Sequence, residues 1–326
     1  MYEDIIEQQR ETIRILQQLL QKATAPRDDG YDHNITFGQC VEEYKNYIKR
    51  HSKPSSIYNV TWQIDHMGVL SNFGECKVDD MKRSEIQKWV DEIAERYAPK
   101  TVRDAGSLIN TILKYAAKAD LIPAKSFSID YPKENEQQEY RVLTKKEFNK
   151  LRVMLIDDES AASTGILVML ETGMRIGEAC GLQWKDVDFR KRRVSVNKTV
   201  YRAGGKIYIG PPKTPSSNRV IPMTETLYET LKERRQEPEL YIATNKESFT
   251  EPHTLRTALT RRLKKWGIEH INPHGLRHSF ATRAIENGVD PKTVAAMLGH
   301  KNCSITLDVY TNATDRMLSN AIKKMN

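Results

Sequence analysis

The 326-residue sequence has few cysteines and no long apolar run, and each lack excludes a class of protein. The four cysteines include no C-x-x-C pair, so neither a disulfide framework nor a zinc site is indicated. No apolar stretch approaches the roughly 18 residues that a membrane span needs. The amino terminus is acidic and rich in glutamine, unlike a secretion signal. We therefore expect a cytoplasmic protein with reduced cysteines, no metal site and no membrane partner.

Positive charge is concentrated in the carboxy-terminal part of the chain. The net charge is +8, but residues 141–326 contain 32 basic and 20 acidic residues. Residues 35–125 are nearly balanced, and residues 1–34 and 126–140 are acidic. A basic surplus of this kind attracts a polyanion. Residues 141–326 are thus the predicted nucleic-acid binder, and binding to DNA would associate the protein with the nucleoid.

The first 125 residues are expected to be helical. Apolar residues recur every seven positions within residues 2–23, a pattern that predicts an amphipathic helix. This helix is expected to pack on its own protein or on a neighbouring subunit. A break in the helix follows within residues 1–34. Residues 35–125 predict a compact module of about four or five helices. Side chains near its helix starts are candidates for contacts to DNA phosphates, or are simply solvated: Lys53, Ser55, Lys100, Thr101 and Arg103.

The remaining chain predicts a linker and a second domain. Residues 126–140 are charged and poor in apolar positions, as an interdomain linker is. In residues 141–326 the apolar period changes from helical to alternating between 187 and 223, which indicates a small antiparallel sheet with turns at Gly204-Gly205 and near Pro215–Ser217. The expected fold is mainly α with a small antiparallel β-sheet, an α+β domain preceded by an all-α one.

Basic and hydrogen-bonding side chains gather at predicted helix ends near the carboxy terminus. A helix capped by Asn272 presents His274 and Arg277 on its first turn, where backbone N–H groups favour an anion. His300 follows the next predicted helix at the mouth of a loop. Tyr310 lies about two turns into a third predicted helix. Separate elements could therefore bring these side chains together.

Further basic residues lie upstream of this stretch. Arg175 follows the end of an apolar helix, and Glu178, three residues on, could hold its guanidinium. Lys213 lies beside a proline-stiffened turn, where packing explains it poorly, although it could simply be solvated. A later basic helix has one apolar face, and Arg261 and Arg262 lie on its other sides, where they could contact phosphates.

This set of residues suits metal-free attack on a phosphodiester. Two guanidinium groups can each bind two nonbridging phosphate oxygens and stabilise the charge of a pentacoordinate transition state. A tyrosine, with an ordinary pKa of about 10, needs a basic or cationic neighbourhood to act as a nucleophile. A lysine on a loop can protonate the leaving sugar oxygen.

The order of the motifs resembles the tyrosine recombinase family, to which phage and transposon integrases belong. The sequence has Gly-Met-Arg-Ile-Gly-Glu, a hairpin lysine, His-Gly-Leu-Arg-His, Leu-Gly-His and a tyrosine ten residues later. The resemblance covers residues 141–326, as a catalytic domain; the helical module before it resembles the core-binding domain of that family only in position and class. It implies a two-domain DNA clamp.

The resemblance implies a role for each candidate residue. Arg175 and Arg277 would clamp the scissile phosphate, with Glu178 supporting Arg175. His274 would act in acid–base chemistry or contact the phosphate, and His300 would position the phosphate. Lys213 would protonate the leaving 5′ oxygen, and Tyr310 would form a 3′-phosphotyrosyl link.

The resemblance also implies how the reaction is organised. Strands would be exchanged in pairs through a Holliday junction by a homo-tetramer on two double-stranded DNA sites, with exchange of the carboxy-terminal helix between subunits. No cofactor, ATP or divalent metal would be needed, and an excision or bending factor is a possible partner. We expect an integrase of a phage or integrative element; an Xer-type chromosome-dimer resolvase, a type IB topoisomerase and a noncatalytic DNA-binding factor remain alternatives.

One feature departs from a full integrase. Integrases of this family often have a separate amino-terminal domain that binds arm-type DNA sites, and residues 1–34 are too short and too acidic for one. We therefore expect either a protein that acts on simple core sites or a piece of a longer chain.

Overall fold

The computed structural model describes residues 10–17, 30–133, 141–212 and 217–299. The chain forms two compact units, Met1–Glu136 and Gln137–Asn326. Among the described residues, the first unit contains helices without strands and the second combines helices with short antiparallel strands. The predicted fold class is thereby confirmed.

The first unit is a helical module around one apolar core. Its helices are α1 (residues 10–17), α2 (Phe37–His51), α3 (Pro54–His66), α4 (Val69–Phe73), α5 (Arg83–Ala94) and α6 (Pro99–Lys118). Thr36 starts α2 with a capping box, in which its hydroxyl accepts from the Gln39 N–H and the Gln39 side chain accepts from the Thr36 N–H. The long helix α6 contributes a fully buried face, including Ile109 and Ile112, to the core.

The start of the predicted linker is held against this first unit. The Asn110 side chain donates to the Phe127 carbonyl and accepts from the Phe127 N–H, both at 2.8 Å. The Tyr131 ring packs so closely over Gly106 that a Cβ on that glycine would lie 2.6 Å from it. A freely linking segment within 126–140 can therefore begin only after Tyr131, because the chain before it is packed on α6.

The second unit is built around one buried helix. Its helices are α7 (Lys145–Asp157), α8 (Ala161–Thr172), α9 (Ile176–Gly181), α10 (Glu225–Glu233), α11 (Pro252–Lys265), α12 (Pro273–Glu286) and α13 (Pro291–Leu298). Helix α8 is buried from Ser163 to Thr172 and packs against α7, α11 and α12. A helix that is apolar on all sides belongs in an interior, as its sequence predicted.

The strands of the second unit form two small sheets. They are β1 (Val187–Asp188), β2 (Arg193–Val196), β3 (Thr199–Ala203), β4 (Lys206–Gly210) and β5 (Arg219–Pro222), arranged as an antiparallel β1–β2–β5 sheet and a β3–β4 hairpin. Gly204 and Gly205 close the hairpin with φ values of 55° and 76°, which confirms the predicted turn. The second predicted turn lies mostly outside the described residues.

The ends of α12 and α13 also follow the sequence. The Asn272 side chain caps α12 and the Asp290 side chain caps α13, each by accepting from a backbone N–H three residues on. Gly299 then ends α13 in the left-handed conformation, with φ of 70°. The predicted helix that contains Tyr310 lies outside the described residues.

Candidate active site

A glycine at the end of α8 places Arg175. Gly173 has φ of 66°, and a Cβ there would lie 2.6 Å from both Leu298 Cδ2 and Phe280 Cδ1. Neither the backbone conformation nor the space suits another residue. The chain turns here, and Arg175 becomes the residue that precedes α9, with 42% of its side chain exposed. Its guanidinium is therefore accessible to a ligand.

Glu178 holds Arg175 by its backbone and by its side chain. The Arg175 N–H donates to Glu178 Oε2 at 2.9 Å, and Arg175 Nη1 donates to Oε1 at 3.1 Å. The Glu178 side chain is only 2% exposed. A carboxylate so far from water needs several donors, and Arg175 supplies two of them.

Arg219, which the sequence analysis did not identify, supplies the other hydrogen-bond donors to Glu178. Its Nη1 and Nη2 donate to the two oxygens of Glu178 at 3.0 and 2.9 Å. Burial alone would raise the pKa of Glu178, but the hydrogen bonds and charges of Arg219 and Arg175 outweigh burial and lower the pKa. The burial of Arg219 could have been inferred from the alternation of side chains along a strand. Arg219 and the buried Ile221 lie two residues apart in β5 and so point to the same face.

Arg277 lies in the interior and joins two helix ends. It is 3% exposed, and its Nη1 and Nη2 donate to the carbonyls of Gly173 and Leu298 at 2.8 and 2.7 Å. These carbonyls belong to the ends of α8 and α13. Burial, and then the charge of Arg175, lower the pKa of Arg277 to about 9. Arg277 thus remains charged at neutral pH.

His274 is exposed on the first turn of α12. Partial burial of its ring, and then the charges of Arg277 and Arg175, lower the pKa of His274 below its ordinary value, which favours the neutral imidazole. The ring meets that of His278 edge-on, with centroids 4.6 Å apart. Burial is also the main cause that lowers the pKa of His278, to about 4. A neutral imidazole can accept a proton or donate a hydrogen bond.

The described part of the second unit therefore brings four of the predicted residues into one electrostatic environment: Arg175, Glu178, His274 and Arg277. The other three predicted residues, Lys213, His300 and Tyr310, lie outside the described ranges. No group of three or more side chains suited to a metal ion occurs within those ranges.

The predicted DNA contacts of the first unit lie at helix starts. Lys53 precedes α3 and Ser55 lies in its first turn, while Lys100, Thr101 and Arg103 belong to the first turns of α6. Lys53, Lys100 and Arg103 are exposed. Their contacts to DNA stay predictions.

The two arginines predicted on α11 differ from each other. Arg261 is exposed. The Arg262 guanidinium instead binds Asp158 Oδ2 at 3.1 Å, Ser163 Oγ at 2.6 Å and Ser160 Oγ at 2.7 Å. Arg262 thus joins α11 to the start of α8, and its contact to DNA, like that of Arg261, stays a prediction.

The two-unit fold, with arginines gathered around one buried carboxylate, fits the predicted class, the tyrosine recombinases. The chain belongs to the phage integrase family, whose model matches residues 141–317, more than half of the sequence. A second model, the N-terminal SAM-like domain of phage integrases, matches residues 36–94. The predicted family is confirmed.

Similar proteins include recombinases and transposases. The chain is 26% identical over 324 residues to a tyrosine recombinase XerC-like protein of Caldanaerobacter subterraneus subsp. tengcongensis, covering 89% of this chain and 77% of that protein. It is 27% identical over 286 residues to the transposase from transposon Tn916 of Enterococcus faecalis, covering 80% of this chain and 69% of that protein.

Solved structures share the fold. The Tn1549 transposon integrase in complex with transposon right end DNA has a TM-score of 0.69 at 23% identity, covering 89% of this chain and 99% of that one. A lambda integrase tetramer bound to a Holliday junction has a TM-score of 0.58 at 16% identity, covering 90% of this chain and 88% of that one. Within the described ranges, no helix combines the length and the apolar character that a membrane span requires.

Proposed function

We propose that this tyrosine recombinase integrates and excises a mobile DNA element at specific sites. The observation that carries the proposal is the cluster of Arg175, Glu178, His274 and Arg277, which suits one phosphate group. The similarity to the Tn916 transposase and the Tn1549 integrase supports a mobile element as the substrate. Double-stranded DNA is then the partner, and the cytoplasm the site of action.

The proposed mechanism starts with the two arginines on the nonbridging oxygens of the scissile phosphate. Arg175 presents its exposed guanidinium, while Arg277 keeps two N–H groups on backbone carbonyls and has others for the phosphate. Because both are held by the protein before the substrate arrives, they need little reorganisation as negative charge develops in the transition state.

Bond exchange then follows without any external energy source. The Tyr310 oxygen bonds to phosphorus as the bond from phosphorus to the 5′ oxygen breaks, and Lys213 gives its proton to that oxygen. His274, whose lowered pKa favours the neutral imidazole, accepts the tyrosine proton or holds the phosphate. His300 positions the phosphate. The phosphotyrosine retains the bond energy, so attack by a new 5′ hydroxyl reverses each step.

Four copies would act together. The shared fold with a lambda integrase tetramer bound to a Holliday junction supports a homo-tetramer. In this proposal the carboxy-terminal helix of one subunit docks on the next. An excision or bending factor would set the direction of the reaction.

An Xer-type resolvase is the second candidate, supported by the XerC-like relative that covers 89% of this chain. The two functions differ in substrate. An integrase recombines the joined ends of a circular element with an unlike target, whereas a resolvase recombines two like sites. Recombination of like sites alone would favour the resolvase.

Trapping of a covalent adduct tests the chemistry. The purified protein would be mixed with duplexes from the flanks of its own gene, each with a nick near the cleavage point. The short fragment that carries the released 5′ hydroxyl then dissociates, so the covalent adduct cannot be resealed. A denaturing gel should show an adduct that Tyr310→Phe abolishes and Tyr228→Phe, a matched change on α10, preserves. Binding without an adduct would indicate a noncatalytic factor, and relaxation of supercoils without site dependence would indicate a topoisomerase.

A further inference from the structure

The guanidinium of Arg219 is shared among three segments of the second unit. It forms a two-point ion pair with Glu178, and Nε donates to the Met297 carbonyl at 2.6 Å. Nη1 also donates to the Ser217 carbonyl at 3.1 Å. The Arg219 side chain is 6% exposed, so these bonds form away from water. Charge-assisted bonds in such surroundings hold their partners in fixed geometry.

Each of these three segments adjoins a residue that the proposed mechanism uses. Glu178 fixes the backbone and the guanidinium of Arg175. Met297 lies near the end of α13, three residues before His300. Ser217 lies four residues after Lys213. One side chain therefore holds Glu178, which contacts Arg175, together with the end of α13 and the residue that precedes β5 by two positions.

Glu178 receives both arginines on the same two oxygens. Oε1 accepts from Arg175 Nη1 and from Arg219 Nη1, while Oε2 accepts from the Arg175 N–H and from Arg219 Nη2. If Arg219 were removed, the carboxylate would be free to turn toward Arg175, and its full charge would act on that guanidinium. Arg175 would then be both displaced and more strongly neutralised.

We propose that Arg219 is a positioning residue for recombination, acting through Glu178 on Arg175 and through the Met297 carbonyl on the end of α13. This inference rests on the proposed function. Lysine cannot replace Arg219 fully, because an ammonium group lacks the planar fork that serves both carboxylate oxygens and two carbonyls together.

The test compares Arg219→Lys and Arg219→Gln with Arg234→Lys. Arg234 is a suitable control because its side chain is partly buried and, like that of Arg219, donates to backbone carbonyls, those of Leu155, Ile156 and Asp158 at the end of α7. Arg219→Lys keeps a positive charge beside Glu178, so it should fold, which a thermal melt of each variant verifies. Single-turnover cleavage of the nicked duplex at saturating protein, and the protein concentration for half-saturation, are then measured.

Both Arg219 variants should cleave about 10- to 100-fold more slowly, because a displacement of about 1 Å in a reacting group can cost on the order of 100-fold in rate. Half-saturation should stay within about twofold, since one phosphate contact contributes little to binding. Arg234→Lys should cleave at the wild-type rate. Wild-type cleavage by Arg219→Lys, or a loss of DNA binding in proportion to cleavage, would overturn the proposal.

A duplex with a methylphosphonate at the scissile position separates positioning from a purely structural role. This group lacks the negative charge that Arg175 neutralises, so the difference between wild type and Arg219→Lys should shrink to less than about threefold. An equal difference on both duplexes would show a structural role only. If the wild-type protein formed no adduct with the unmodified nicked duplex, the proposed function would fail as well. If the wild-type protein formed the adduct and Arg219→Lys formed it at the same rate, this inference alone would fail.

Discussion

Gly173→Ala tests how the end of α8 supports the site. Alanine at φ of 66° costs about 1–2 kcal/mol in backbone strain. Its Cβ would also lie 2.6 Å from Leu298 and Phe280, and overpacking of this kind costs about 1–3 kcal/mol. The free energy of unfolding of the second unit should therefore fall by about 2–5 kcal/mol, which lowers Tm by roughly 4–20 °C for a unit of this size.

Gly205→Ala is the matched control for this prediction. Gly205 also has a positive φ, 76°, but a Cβ there would meet nothing within 4 Å. The free energy of unfolding of Gly205→Ala should fall only by the backbone strain, about 1–2 kcal/mol. Urea unfolding of both variants, followed by circular dichroism, gives the two values. If Gly173→Ala were no more destabilised than Gly205→Ala, the packing of α12 and α13 on Gly173 would not be the constraint described.

Three other predictions concern cleavage, pH and the first unit. Arg175→Ala or Arg277→Ala should slow cleavage more than about 100-fold while gel-shift binding changes little; equal losses in both assays would contradict this. The pKa of His278, about 4, lies below its ordinary 6.5, so the unfolded chain takes up the proton first and the free energy of unfolding falls as pH drops from 6.5 to 4. His278→Gln should flatten that fall in urea titrations at pH 4.5 and 7, and an unchanged slope would refute the assignment. Asn110→Ala should reduce the free energy of unfolding of the first unit by about 1–3 kcal/mol, since it removes two hydrogen bonds to the half-buried Phe127 backbone, each worth about 0.5–1.5 kcal/mol; urea unfolding unaffected by the change would show that Phe127 is not anchored there.

Local features of the fold were predictable because they depend on neighbours in sequence. The caps at Asn272 and Asp290 and the turn at Gly204-Gly205 each need only a few adjacent residues to be recognised. The apolar character of α8 likewise predicted its burial without knowledge of its partners.

Long-range pairings were beyond the sequence analysis. Arg219 meets Glu178 across 41 residues, and that contact depends on how β5 pairs with β2. Helical periodicity places Arg262 off the apolar face of α11 but does not show that Asp158, 104 residues away, would receive its guanidinium. Both arginines have partners that only the tertiary fold supplies.

We propose above all that Tyr310 of this family member forms a covalent link to DNA. The most direct measurement is mass spectrometry of peptides from the gel-purified adduct with the nicked duplex. A 3′-phosphate joined to the peptide that contains Tyr310, and absent from Tyr310→Phe, is the expected result. An adduct on another residue, a link to a 5′-phosphate, or no adduct with a duplex that the protein demonstrably binds would contradict the account.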